Sequence, residues 1–156
     1  MKILLLFVGK TDKGYLPAAI DIYVDRLKHY AAVELRTIPE LKNAKSLSEE
    51  QQKDSEGKQL LQAAGEGELW LLDEQGKELS SEEFSVFLEK KLQGSAKNLT
   101  FVVGGPYGFS AEVYARAAGR ISLSRMTFSH QMVRLFFAEQ LYRAFTIIKG
   151  EPYHHK

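Results

Sequence analysis

Five short apolar runs alternate along the chain with stretches in which apolar residues recur at helical spacing. The first run, residues 3–8, is rich in Leu and Ile and is typical of a strand buried on both faces. Strands that alternate with helices predict an α/β domain, with a mostly parallel sheet and helices on both of its faces. Because 156 residues contain no linker and no internal repeat, we expect a single domain over residues 1–156.

The boundaries of these elements follow from periodicity, caps and breakers. The predicted strands are Lys2–Val8, Ala32–Ile38, 68–72, 99–103 and 121–123. The predicted helices are 15–30, the later part of 41–64, 81–92, 110–118 and 130–149. Ser80 and Glu83 form a capping box, and Ser48, Ser110 and either Thr127 or Ser129 are further candidate caps. We expect a turn at 74–77 and a tail after Gly150.

Several classes of protein and site are excluded by what the chain lacks. It has no cysteine, which excludes disulfides, thiolate metal sites and cysteine nucleophiles. The run at residues 3–8 is too short to span a membrane and lacks a cleavage pattern, so we expect a cytoplasmic protein without a membrane partner. We also expect no metal, because adjacent histidines such as His154 and His155 rarely share one ion and the sequence has no HExxH motif.

Charge is distributed unevenly although the net charge is only +1. Residues 40–90 carry six Lys against thirteen Asp and Glu, a balance of −7. Residues 116–156 carry seven Lys and Arg against two Glu, a balance of +5. This asymmetry indicates either an anionic partner at the basic end or a helix face decorated with solvated arginines.

Two glycine-containing segments follow predicted strands. Gly9-Lys10-Thr11 imitates the end of a phosphate-binding P-loop, but that motif needs a glycine at the position of Leu4, so a P-loop is not supported. The segment 104–108, Gly-Gly-Pro-Tyr-Gly, lies between a strand and a helix, and its paired glycines let a ligand approach the backbone. It is either a ligand-binding turn or a plain connection. Ligands of such folds bind beyond the carboxyl ends of the strands.

The carboxyl-terminal third contains the other candidate residues. Residues 123–128 combine apolar side chains, hydroxyls and exposed backbone, which suits a planar base but also suits an ordinary connection. The last helix is apolar over most of its circumference, so it is either a core helix or a helix shared with a second subunit. His130 and Arg134 are four residues apart on it, which allows both to face one cleft.

Taken together and in order, these motifs resemble the ribosomal RNA large-subunit methyltransferase H family of the SPOUT class. The resemblance covers essentially the whole chain and is most specific in residues 130–134, 139–144 and the Tyr153-His154 pair. It also rests on Val8-Gly9-Lys10, Leu72-Asp73, 103–108 and 123–128.

The resemblance implies a compact α/β domain whose carboxyl-terminal part forms a deep trefoil knot, and two subunits that pair through it. It implies S-adenosyl-L-methionine as cofactor and S-adenosyl-L-homocysteine as product. It further implies methylation of N3 of a pseudouridine in large-subunit ribosomal RNA of the assembled ribosome. The implied cofactor contacts are Leu72, Gly104, Gly105, Leu123, Ser124, Arg125, Met126, Thr127 and Phe128.

The resemblance leaves the catalytic residues as hypotheses drawn from the basic, aromatic end of the chain. His154 is a candidate proton acceptor or base contact, and His130 is a further candidate. Arg134 and Arg143 are candidate phosphate or anion contacts, and Tyr153 is a candidate for stacking on a base.

Two departures from the family pattern stand in the same region. Ser129 takes a place where members often carry Pro, and His155 is an added histidine. Two other functions remain open from the residues. A non-catalytic RNA-binding module is disfavoured by the intact Gly104-Gly105 turn, and a flavodoxin-like nucleotide binder by the absence of a Ser/Thr-rich loop after the first strand.

Overall fold

The structure is a computed structural model that describes residues 1–155. The strands are β1 (Lys2–Val8), β2 (Ala32–Ile38), β3 (Glu68–Glu78), β4 (Asn98–Val103) and β5 (Gly119–Ser122). The helices are α1 (Tyr15–Leu27), α2 (Glu49–Ala64), α3 (Ser81–Gln93), α4 (Ala111–Arg116) and α5 (His130–Ile148). Two short 3₁₀ turns, Ala44–Ser46 and Pro152–His154, precede α2 and follow α5.

In the part of the chain that the structure describes, the five strands are all parallel and lie in the order β2-β1-β4-β3-β5. This arrangement confirms the predicted α/β fold with a parallel sheet. Because every strand runs in the same direction, the loops that leave β3, β4 and β5 emerge at one edge of the sheet. The order of the strands makes these three loops neighbours.

The sheet is covered on both faces, as the sequence predicted. Ile3, Leu5 and Phe7 of β1 pack with the apolar faces of α1, α3 and α5. The alternate residues Leu4 and Leu6 pack on the other side with α2 and α4. Since successive side chains of a strand point to opposite faces, a continuous apolar run is what a strand between two helical layers requires.

Among the described residues 1–155, serine caps begin four of the five α-helices. Ser80 and Ser48 each accept a hydrogen bond from a backbone N–H three residues later, and each forms a capping box with Glu83 or Gln51. Ser110 caps α4, and Ser129 caps α5 by accepting from the Met132 N–H at 3.2 Å. Ser129, which the sequence analysis noted as a departure from the family pattern, therefore accepts a hydrogen bond from a backbone N–H that would otherwise be unpaired at the start of α5.

Strand β3 is longer than predicted and contains an irregularity. The expected turn at 74–77 is part of β3, whose pairing with β5 shifts between Leu72 and Lys77, so that both residues pair with Ile121. The extra residues bulge out of the ladder. Strand β5 also begins earlier than predicted, at Gly119.

Helix α5 lies between α1 and α3 and is therefore buried on two sides, as the apolar residues around most of its circumference predict. Phe137 and Leu141 are almost fully buried in the core, whereas Phe136 is 37% exposed. The residues after α5, predicted as a tail, fold back as the second 3₁₀ turn against this helix.

The trefoil knot implied by the family resemblance stays a prediction. No helix within residues 1–155 is both long and apolar enough to cross a membrane.

We expect Gly76→Ala to lower the free energy of unfolding by about 1–3 kcal/mol. A Cβ at this position would lie 2.7 Å from the backbone carbon of Arg120 and from the backbone nitrogen of Ile121. Because backbone atoms cannot rotate away, β3 and β5 would have to separate at the bulge. Urea denaturation measures the change. Gly94→Ala is the control, since its Cβ would meet nothing closer than 3.4 Å; equal midpoints for the two variants would contradict the prediction.

Candidate functional site

A cleft of about 520 Å³ opens at the carboxyl ends of β3, β4 and β5. It is lined by the three loops that leave these strands and by the start of α5. Three of the four strand ends that the sequence singled out therefore meet here, as expected for a parallel sheet. The fourth, Gly9, lies outside the lining of this cleft.

Most residues implied as cofactor contacts line this cleft. They are Leu72, Gly104, Gly105, Leu123, Ser124, Met126, Thr127 and Phe128. Arg125 is exposed and does not line the cleft. The cleft has the volume of a typical small-molecule site, and apolar side chains dominate its wall.

The glycine-rich loop after β4 forms one wall. A Cβ on Gly104 would lie 2.8 Å from Cζ of Phe109, whose ring is buried and packs edge-on against Tyr114. A turn in which the Gly108 N–H donates to the Gly105 carbonyl at 3.3 Å closes the loop, and Gly108 has a φ of 80°. The loop therefore needs glycine at position 104 for space and at position 108 for backbone conformation.

The loop after β5 forms the opposite wall and is held by serines. The Ser122 hydroxyl donates to the Ser124 carbonyl at 2.9 Å, and the Met126 N–H donates to the Ser124 hydroxyl at 2.9 Å. Met126 itself is 75% exposed. Phe128 contacts Phe136 of α5, with ring centroids 5.0 Å apart. Of the hydroxyls in the predicted segment 123–128, that of Ser124 therefore shapes the loop itself.

Asp73 and Tyr114 also line the cleft, and sequence reasoning did not select them as site residues. The Tyr114 hydroxyl donates to Asp73 Oδ2 at 2.6 Å, and the Gln75 N–H donates to Asp73 Oδ1. Burial and, next, the hydrogen bond to Asp73 raise the pKa of Tyr114. The only sequence signal was the position of Asp73 at the end of a buried strand. Its carboxylate lines the cleft, and Arg120 Nη1, 4.0 Å from Oδ2, balances part of its negative charge.

His130 is the predicted catalytic residue that lines the cleft. Partial burial, and then the positive charge of Arg134, lower the pKa of its imidazole, while the carboxylate of Asp12 acts in the opposite direction. Lowering the pKa of a histidine favours the neutral ring at physiological pH, and a neutral ring can accept a proton.

Arg134 does not share that cleft. It is fully buried, and its guanidinium group donates to the carbonyls of Val8 and Gly9 at 2.8 and 2.9 Å and to the Thr11 hydroxyl at 3.0 Å. The ring of Phe7 lies below it, with Cζ of Arg134 4.9 Å from the centroid. In this position the guanidinium group has no surface to offer an RNA phosphate; a phosphate contact would require it to leave these partners.

The other three candidates form a separate group at the far end of α5. Arg143 donates from Nε and Nη2 to Glu139 Oε1 at 3.0 and 2.6 Å, and the Tyr153 hydroxyl donates to the same oxygen at 3.0 Å. His154 lies within hydrogen-bonding distance of both Arg143 and Glu82. We call Arg143, Tyr153, His154, Glu139 and Glu82 the tail cluster.

The tail cluster fixes the tautomer of His154. Because a guanidinium group only donates, His154 Nδ1 must accept from Arg143 Nη1 at 3.0 Å. The proton of the neutral ring then lies on Nε2, which donates to Glu82 at 2.9 Å. Both ring nitrogens are engaged, so His154 can take a proton from a substrate only after one of these contacts opens.

His130 of the cleft and Arg143 of the tail cluster lie at different ends of α5. His130 begins α5 and Arg143 lies thirteen residues later on the same helix, which places them about 20 Å apart along its axis.

A second groove of about 340 Å³ lies between the cleft and the tail cluster, and we call it the lateral groove. Leu123 and Phe128 join it to the cleft, Glu139 joins it to the tail cluster, and Phe136 lines its side.

Comparison with protein families gives one match that covers nearly all of the chain. The family described as "Predicted SPOUT methyltransferase" matches residues 1–154. Relatives from Christiangramia forsetii, Parabacteroides distasonis and Flavobacterium johnsoniae are 58%, 57% and 54% identical over 157 aligned positions. The alignments cover 100% of this chain and of each relative, and each relative is named Ribosomal RNA large subunit methyltransferase H.

A solved structure supports the fold independently. A protein from Haemophilus influenzae Rd KW20, described as a probable methylase family protein, superposes with a TM-score of 0.54 at 13% sequence identity. The match covers 97% of this chain and 69% of that chain.

Proposed function

Because the chain belongs to the SPOUT methyltransferase family, we propose that it methylates N3 of a pseudouridine in large-subunit ribosomal RNA within the assembled ribosome, using S-adenosyl-L-methionine. The names of its relatives support a ribosomal RNA substrate. The observation that carries the proposal is the cleft at the carboxyl ends of β3, β4 and β5, where the implied cofactor contacts gather. A ribosome-bound substrate would place the reaction in the cytoplasm.

The cleft fits the proposed cofactor in shape and chemistry. Apolar side chains such as Leu72, Leu123 and Phe128 offer faces for the adenine ring, and the paired glycines Gly104 and Gly105 let a ligand approach the backbone of the loop after β4. The carboxylate of Asp73 suits a ligand that carries positive charge. When bound, the cofactor supplies an activated methyl group, so the protein has mainly to align donor and acceptor.

The N3 proton of the target base must also leave, and two histidines are placed differently for this task. His130 lies in the cleft with a lowered pKa, which makes it able to accept the proton directly. His154 lies in the tail cluster with both ring nitrogens engaged. We propose that His154, Tyr153 and Arg143 contact the RNA, and that the tail cluster opens when RNA binds.

A homodimer would bring the tail cluster to a cleft. Within one chain Arg143 lies about 20 Å from His130 along α5, and His154 is held beside Arg143 and Glu82, so in this conformation His154 is remote from His130. We propose that a second copy covers the lateral groove, where Phe136 is partly exposed beside Phe128, and presents its tail at the neighbouring cleft. The pairing would also join two copies of the basic segment 116–156.

Transfer of a labelled methyl group to purified ribosomes tests the proposal. Ribosomes from cells that lack the modification should accept label at one pseudouridine, whereas deproteinised RNA from the same ribosomes should react weakly. Calorimetric titration with S-adenosyl-L-homocysteine should show saturable binding. Equal rates on ribosomes and naked RNA would refute the requirement for the assembled particle. Binding to ribosomes without any methyl transfer would favour a non-catalytic RNA-binding module.

A further inference from the structure

The segment between β1 and α1 is held against α5 by side chains from the far end of the sequence. Gln131 accepts from the Asp12 N–H at 2.8 Å and donates to the Lys10 carbonyl at 3.2 Å. Arg134 donates to the carbonyls that flank the start of the same segment and to Thr11. We call residues 9–14 the clamped loop.

Holding the clamped loop in place requires the burial of the charged Arg134, which is unfavourable in free energy. This indicates that the conformation of the loop is important. Removing a guanidinium group from water is unfavourable, and burial lowers the pKa of Arg134. Its three acceptors and the ring of Phe7 offset that cost, but Arg134 Nε has no hydrogen-bond partner among residues 1–155. A lysine or an apolar side chain would fill the space without bridging three oxygens.

The clamped loop carries two lysines and one carboxylate, Asp12, beside the cleft, a net charge of +1. Lys10 and Lys13 are exposed. Within residues 1–155 neither forms an ion pair; the paired lysines are Lys2, Lys28, Lys53 and Lys91. The hydrogen bond from Asp12 places the loop against the first turn of α5, whose first residue, His130, lines the cleft. A strand of RNA that enters the cleft would pass these lysines.

We propose that the clamped loop binds RNA phosphates through Lys10 and Lys13 and so aligns the target nucleotide with the cleft. Gln131 and Arg134 are positioning residues that act through the loop. This inference rests on the proposed function, since it concerns how the same site receives its RNA. Phosphate contacts by lysine fix register and orientation and carry no sequence information.

The salt dependence of binding to purified ribosomes tests the inference. Each phosphate contact contributes about −0.7 to −0.9 to the slope of log affinity against log salt. Between about 50 and 200 mM salt, the double variant Lys10→Ala with Lys13→Ala should therefore lose roughly tenfold less affinity than the unchanged protein. The control, Lys58→Ala with Lys90→Ala, removes two exposed charges from α2 and α3 and should keep the original slope.

A double-mutant cycle tests the positioning role. Gln131→Ala should raise KM for ribosomes, leave binding of S-adenosyl-L-homocysteine unchanged, and have no further effect once Lys10 and Lys13 are replaced. If Gln131 had only a structural role, Gln131→Ala would raise KM by the same factor whether Lys10 and Lys13 were present or replaced. Arg134→Lys, if it folds, should act like Gln131→Ala.

The outcomes separate the inference from the proposed function. If the unchanged protein methylates ribosomes and the two double variants have the same salt slope, the clamped loop is not the contact, and the inference is overturned while the function stands. If the unchanged protein neither binds nor methylates ribosomes, both fall together. If only the variant with Lys10 and Lys13 replaced shows a shallower decrease of log affinity with log salt, the inference is supported.

Discussion

Replacing Gly104 with alanine is expected to weaken binding of S-adenosyl-L-homocysteine by about ten- to a hundredfold. The added Cβ would overlap the ring of Phe109, and that ring cannot turn away because it is buried against Tyr114. Overpacking of this kind costs about 1–3 kcal/mol, and a tenfold change in affinity corresponds to about 1.4 kcal/mol. The glycine-rich wall would therefore shift into the cleft or away from it. Calorimetric titration measures the affinity.

A larger side chain at position 104 should weaken the binding of S-adenosyl-L-homocysteine further. Gly104→Leu should abolish measurable binding, because a larger side chain would overlap the Phe109 ring and could avoid it only by displacing the loop into the cleft. Gly94→Ala, at the end of α3 and remote from the cleft, should bind as the unchanged protein does. Normal affinity in Gly104→Leu would show that the cofactor lies elsewhere.

Two variants that are inactive alone are expected to recover methyl transfer when they form a mixed dimer. The first variant, Gly104→Leu, lacks a working cleft, and the second, Tyr153→Ala with His154→Ala, lacks a working tail. If the tail of one copy serves the cleft of the other, each mixed dimer has one complete site. Random pairing makes half of the dimers mixed, so about a quarter of the original activity should return.

The alternative arrangement predicts a different result. If the tail serves its own cleft, every site in a mixed dimer carries one defect, and activity stays at the level of the separate variants. Copies of the two variants with different affinity tags allow the mixed dimer to be purified before the assay. Mixing two preparations of the tail variant should restore nothing.

Much of the fold follows from local sequence. The apolar run of β1 must lie between two helical layers, and the serine caps fix where α2, α3, α4 and α5 begin. The bulge in β3 escaped prediction because Glu-Gln-Gly is a good turn sequence. The local preference of these residues for a turn was overridden by their pairing with β5, which lies more than 40 residues later in the sequence.

The cleft was easier to predict than the roles of its neighbours. Residues at the ends of adjacent parallel strands must meet, so the position of Gly104 beside Leu72 follows from topology. The helical spacing of His130 and Arg134 placed them near each other but left a turn of about 40° between their directions. That difference sends one to the cleft and the other to the carbonyls of β1, whose position local sequence does not reveal.

Folding order is a consequence of the clamp between α5 and the first loop. The hydrogen bond from Arg134 to Val8 spans 126 positions, and β1 lies between β2 and β4 in the sheet. Contacts of such long range form late, because the chain must close a large loop before they stabilise it. We therefore expect the segment 9–14 to lack a fixed shape until α5 docks. A nascent chain that lacks α5 would carry the same lysines without holding them beside the cleft, so the RNA contact that we propose for this loop would form only with the last helix.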